Sequence, residues 1–125
     1  MSYSIDHVQL AMPPGRESEA IAYFCDVIGF DQEQKPEPLA DRGGCWFSSG
    51  NCKLHVGTEA AFSAQKKAHP AFLCDEIDSL AARLDAAGYP VKWSTEFEDR
   101  RRFYTEDPFG NRIEFMLEGD GFSQK

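Results

Sequence analysis

Apolar and polar side chains alternate along residues 4–12, with Val8, Leu10 and Met12 on one face and Ile5, His7, Gln9 and Ala11 on the other. A period of two predicts a strand, and Pro13-Pro14-Gly15 ends it. From Glu17 to Ile28 the period lengthens. Ala20, Ile21, Phe24, Val27 and Ile28 make one helical stripe, and Gly29 is the natural stop because it accepts φ > 0. A short edge strand is predicted near Phe30. Cys45-Trp46-Phe47-Ser48 and Lys53-Leu54-His55-Val56 then flank Ser49-Gly50-Asn51 and read as a hairpin.

After a polar connector the same order returns. His69-Pro70-Ala71-Phe72-Leu73-Cys74 reads as a strand, with Pro70 at its start. Asp75 is the expected N-cap of a helix whose stripe is Ile77, Leu80, Ala81 and Leu84, stopped by Gly88. Residues 91–93 form a short strand. Arg102-Phe103-Tyr104-Thr105 and Arg112-Ile113-Glu114-Phe115-Met116 then make a hairpin around Asp107-Pro108-Phe109-Gly110-Asn111.

The two halves are therefore one repeated unit. Gly29 and Gly88 follow His7 and His69 at nearly the same spacing, and His55 and Glu114 likewise, each after a Gly-Asn pair. A fixed order with a small drift is the mark of a duplicated supersecondary unit. The predicted class is α+β: two tandem βαβββ modules, at 3–57 and 68–118, joined by a linker at 58–67 within one domain spanning 1–125. A curved mixed sheet would surround a central cavity, with one helix per module outside.

Composition narrows the functions. A chain of 125 residues that is 42% hydrophobic can bury a full core without disulfide staples. The net charge of −8 disfavours nucleic acid and anionic membranes as partners. No stretch approaches the roughly 20 apolar residues of a membrane span, and no leader pattern opens the chain, so a cytoplasmic protein is expected. Arg100-Arg101-Arg102 reads as a solvated turn rim paired with Glu96, Glu98 or Asp99, with local anion binding as the second reading. Cys25, Cys45, Cys52 and Cys74 contain no C-x-x-C pair and read as small apolar side chains.

The chain's 3 histidines fall at matching places in the two halves. His7 and His69 open the first strand of each module; His55 and Glu114 sit in the last. Taken alone, each His reads as a hydrogen-bonded cavity or surface residue, and Glu114 as half of an ion pair. Taken together, His7, His69 and Glu114, with His55 as a fourth ligand or an acid-base group, point to a metal site. Imidazole nitrogen and carboxylate oxygen suit a divalent first-row ion: zinc, nickel, manganese, cobalt or iron(II). Trp46, Phe103, Tyr104 and Arg102 are candidates for substrate contacts, but alternation lets only one of Phe103 and Tyr104 face inwards.

The closing run from Arg102 to Phe115, Arg-Phe-Tyr-Thr-Glu-Asp-Pro-Phe-Gly-Asn-Arg-Ile-Glu-Phe, resembles the FxDPxGNxIE hairpin of the vicinal oxygen chelate superfamily. Ile5-Asp6-His7-Val8-Gln9-Leu10 is similar to that family's first strand, and Phe24-Cys25-Asp26-Val27-Ile28-Gly29-Phe30 to its helix end. The superfamily includes glyoxalase I, fosfomycin-resistance thiol transferases, extradiol dioxygenases and bleomycin-binding proteins. The resemblance implies a metal held by His7, His69 and Glu114, catalytic roles for Glu114 and His55, a small oxygen-bearing substrate, and a homodimer. His55 stands nearest the place where glyoxalase-like members carry a Glu or Gln ligand, a departure from glyoxalase I itself. The function so implied is a metal-dependent lyase or isomerase that stabilises an enediolate or oxyanion. The alternatives are an iron(II)-dependent dioxygenase or a non-catalytic, metal-free binding protein.

Overall fold

A computed structural model of the chain describes residues 1–96 and 100–118. The chain divides into two compact units, Met1–Ala64 and Gln65–Lys125. No helix among the described residues is long and apolar enough to cross a membrane.

The first unit runs β1 (Val8–Met12), α1 (Glu17–Ile21), a π-helical turn (Ala22–Val27), β2 (Asp31–Glu33), a 3₁₀ turn (Glu37–Leu39), β3 (Cys45–Ser49) and β4 (Cys52–Thr58). Its sheet has the order β1-β4-β3-β2, with β1 parallel to β4 and the other pairs antiparallel. Leu10, Met12, Phe24, Phe47, Leu54 and Val56 are all buried, so one sheet face and the helix share the core.

Two local expectations are corrected here. Alternation starts at residue 4, but β1 begins at Val8, where Leu54 is its partner. His7 therefore precedes the strand, although β4 extends two residues beyond Leu54, to Cys52. The predicted helix at 17–28 also changes pitch midway: Ile28 N–H donates to the Tyr23 carbonyl at 3.0 Å and Gly29 N–H to that of Phe24 at 3.1 Å. These i→i+5 bonds widen the turn. Tyr23 and Phe24 are buried side by side, while Ile21, Val27 and Ile28 are only half-buried. Gly29, at φ 97°, ends the helix as expected.

The second unit runs β5 (Ala71–Cys74), α2 (Ile77–Ala86), β6 (Lys92–Trp93), β7 (Arg102–Glu106) and β8 (Arg112–Leu117), with sheet order β5-β8-β7-β6. The order is that of the first unit, and β5 is again parallel to β8. The α2 stripe Ile77, Leu80, Ala81 and Leu84 is the buried face of that helix. Its N-cap is Glu76 rather than Asp75, and no side chain caps it. His69 precedes β5, as His7 precedes β1.

The loop between β7 and β8 shows why its residues have the types they do. The Asp107 carboxylate accepts hydrogen bonds from the Phe109 and Asn111 amides and from Asn111 Nδ2, each at 2.9 Å. Gly110 takes φ 91°, where a Cβ would clash. Asn111 Oδ1 accepts from the Gln65 amide at 3.1 Å, and Arg112 N–H donates to the Gln65 carbonyl at 2.9 Å. The loop thus fixes both the β8 register and the chain entering the unit.

Candidate functional site

The ladders give each candidate residue an address. In the first unit His55 lies opposite Trp46 on β3 and Gln9 on β1. In the second, Glu114 lies opposite Tyr104 on β7 and Ala71 on β5. His7 is two residues before Gln9, and His69 two before Ala71. His55 and Glu114 are therefore exact counterparts within their units. Aligning the two Gly-Asn pairs displaces them by one residue. The displacement arises in the loops: Ser49 pairs with Cys52 across Gly50-Asn51, whereas Glu106 pairs with Arg112 across the longer 107–111.

At the first address the rings stack. His55 lies flat on Trp46, with centroids 3.8 Å apart and an interplanar angle of 4°, and His7 lies 4.0 Å away on His55. Burial, and the neighbouring His7, push the His55 imidazole below its ordinary pKa. Asp6 Oδ2 is 3.0 Å from His7 Nδ1, and this hydrogen bond holds the Asp6 carboxyl below its usual range. Trp46 is half-buried as one wall of the stack.

At the second address the groups are charged. Glu114 is 5% exposed. Its Oε1 lies 2.9 Å from His69 Nε2, and its Oε2 accepts from Arg102 at 3.2 Å. The other nitrogen of His69, Nδ1, is 2.8 Å from the Lys67 carbonyl. A carbonyl can only accept, so Nδ1 carries a proton. A neutral ring would then turn the Nε2 lone pair towards a carboxylate, acceptor facing acceptor. A proton or a metal ion between the two atoms resolves that conflict. An imidazole fixed through Nδ1–H to a carbonyl, with Nε2 beside a carboxylate, is also how metal-binding histidines are oriented. The donor chemistry of His69 and Glu114 fits a borderline divalent ion. Among the described residues, no three His, Cys, Asp or Glu side chains are gathered within reach of a single ion.

The remaining candidates divide by strand face. Tyr104 shares the Glu114 face: its ring meets His69 edge-on at 5.6 Å and carries the Arg112 guanidinium at 4.1 Å. Phe103 is on the opposite face, fully buried against Trp93 and Phe115, and cannot line a substrate pocket. Only part of the arginine run is a solvated rim, and its partner there is Asp78 rather than Glu96. Arg101 pairs with Asp78 at 2.8 Å and lies over the Trp93 ring, while Arg102 turns inwards to Glu114. Glu98 and Asp99, expected as partners of that run, lie outside the described residues. Arg102 as the counter-ion of Glu114 was missed in the sequence; the signal was its alternation with Tyr104 opposite Glu114. Burial raises the pKa of all four free cysteine thiols, which fits apolar packing rather than nucleophilic use.

Comparison with known proteins gives a consistent picture. Residues 4–115 match the family model described as Glyoxalase/Bleomycin resistance protein/Dioxygenase superfamily. A crystal structure described as that of a glyoxalase family protein from Bacillus anthracis is similar at 46% identity and a TM-score of 0.90, covering 95% of this chain and 98% of that one. The fosfomycin resistance protein FosX from Listeria monocytogenes shares the fold at 15% identity and TM-score 0.75, covering 95% of this chain and 96% of that one. Lactoylglutathione lyase from Agrobacterium tumefaciens shares it at 20% identity and TM-score 0.67, covering 89% and 92%. No curated protein matches the chain.

Proposed function

The chain belongs to the Glyoxalase/Bleomycin resistance protein/Dioxygenase superfamily, and on that premise we propose that it is a metal-dependent enzyme of glyoxalase type acting on a small oxygen-bearing molecule. The observation that carries this reading is the His69–Glu114 contact at 2.9 Å, which turns an imidazole nitrogen and a carboxylate oxygen, the donor pair a divalent ion takes, towards each other. In this reading His69 and Glu114 hold a divalent ion together with His7, and His55 is a further ligand or proton carrier. A bound ion would supply polarisation of adjacent substrate oxygens.

The chain's own groups do the rest. Arg102 engages Glu114 Oε2 and leaves Oε1 facing His69. Glu114 would accept a substrate proton when its carboxylate is free of the ion. The Lys67 carbonyl holds the His69 ring in one tautomer, and Tyr104 walls the site beside it. We assign the active form as a homodimer, on family grounds.

Metal content and thermal shift test this reading. We expect wild-type protein to bind one ion of zinc, nickel, manganese, cobalt or iron(II). At a free concentration of 100 Kd that binding adds about 2.7 kcal/mol of stability. His69→Ala, Glu114→Gln and His7→Ala should each lose most of it. Bound iron with oxygen uptake would instead favour dioxygenation. Equal metal content in all four proteins, or no shift with any added ion, would leave the metal-free binding protein as the function.

A further inference from the structure

A cleft of about 310 Å³ opens within the second unit, lined by Lys66, Pro90, Lys92, Tyr104, Thr105, Glu106 and Arg112. Its charge contrasts with the chain as a whole, which carries −8. Three cations line it against a single carboxylate. Lys66 is committed: its Nζ donates to the Gly110 carbonyl at 3.0 Å and lies 3.9 Å from Glu106. Lys92 and Arg112 are not. Among the described residues, neither has a carboxylate within ion-pair distance. Arg112 is instead laid over the Tyr104 ring, which holds the guanidinium in place without neutralising it.

The ladder connects this cleft to the His69–Glu114 pair. Lys92, Tyr104 and Glu114 stand in one row, each opposite the next, and directly opposed residues share a sheet face. Arg112 precedes Glu114 by two positions on the same strand, about 7 Å along that face. In the first unit, β2 places Glu33 opposite Trp46, where β6 places Lys92 opposite Tyr104. The positive edge therefore belongs to the second unit alone.

We infer that Lys92 and Arg112 form an oxyanion-binding subsite, so that the substrate carries an anionic group in addition to the oxygens presented at Glu114. This assignment of substrate class rests on the proposed function. The subsite binds its anion by charge-assisted hydrogen bonds from two cations that have no carboxylate partner among the described residues, with Tyr104 as its floor. Lys66 and Glu106 close the far side.

Inorganic phosphate, with acetate as a second arm at constant ionic strength, is the probe. Titration into metal-stripped protein is followed by calorimetry and amide chemical shifts. Phosphate should bind with shifts centred on Lys92, Tyr104 and Arg112. Lys92→Gln and Arg112→Gln should each raise Kd about tenfold, the loss of one charge-assisted contact. Acetate binding through the same residues would make the group a carboxylate; phosphate alone would make it tetrahedral. No saturable binding of either anion, or unchanged Kd in Lys92→Gln, would overturn the subsite. Lys92 is exposed on the edge strand, so its variant stays informative if Arg112→Gln does not fold. Phosphate binding in a chain that takes up no metal would keep the subsite and remove the metal enzyme. Metal binding without anion binding would do the reverse.

Discussion

The two units share one ladder and hold different chemistry at the same address. Where the second unit has Tyr104, Glu114 and His69, the first has Trp46, His55 and His7. One residue type, two positions upstream on the third strand, accounts for much of the difference. The second unit has Arg102 there, which supplies the charge that a buried carboxylate needs. The first has Gly44, at φ 98°, where a Cβ would collide with the Val56 carbonyl oxygen. No long cation can grow from that backbone. A carboxylate at position 55 would have no counterpart of Arg102, and an imidazole stacked on tryptophan suits the place. Duplication thus supplies a frame, and the backbone at position 44 or 102 decides whether the frame holds charge.

The largest predicted effect separates the two addresses by stability. Glu114→Ala leaves Arg102, whose side chain is 14% exposed, without its buried counter-ion. It should cost about 3 kcal/mol. His55→Ala removes one stacked ring from between two others and should cost about 1 kcal/mol. Denaturant unfolding of both variants measures the difference. Equal losses would mean that Arg102 contributes no charge pairing and that the contrast between the units is only one of shape.

A smaller effect follows from transplanting the second chemistry into the first unit. His55→Glu should be less stable than His55→Gln at pH 7, by about 1 kcal/mol, because position 44 offers no guanidinium. The gap should close in acid, where a carboxyl at 55 is protonated. A His55→Glu variant as stable as His55→Gln at neutral pH would show that another cation reaches the site.

Much of this frame was legible in the sequence, for local reasons. The α2 stripe was read correctly because its apolar period is helical throughout. The loop at 107–111 could be read because Asp107, Gly110 and Asn111 each carry out a function that few other residues can. What stayed hidden depended on partners distant in sequence. The π-helical turn after α1 leaves Val27 and Ile28 only half-buried, although the regular period places them in the stripe. The equivalence of His55 and Glu114 needed the pairings across turns of unequal length. Choosing between Phe103 and Tyr104 needed that same register, since Phe103 lies opposite Phe115 in the apolar row. The Lys67 carbonyl is backbone and leaves no residue signature at all.

The smallest effect concerns how each unit ties its third strand to its helix. In the first, Glu17 accepts from the Gly44 amide at 3.0 Å; in the second, Asp78 accepts from Arg101 at 2.8 and 2.9 Å. The Arg101 hydrogen bond holds the Asp78 carboxyl below its ordinary range. A carboxyl with a depressed folded pKa stabilises the fold above its unfolded pKa, about 3.9, and loses that contribution as pH falls through the folded value. Asp78→Asn should therefore lower Tm slightly near neutral pH and make no difference in strong acid. Because both partners are exposed, the neutral-pH difference should also fade in 1 M salt, where the screening length is about 3 Å. The Glu17 tie, made to a fixed backbone amide, should keep more of its effect in salt than the tie to a mobile guanidinium. Thermal scans of Asp78→Asn and Glu17→Gln at low and high salt measure this, and equal salt sensitivity would show that the two ties work in the same way.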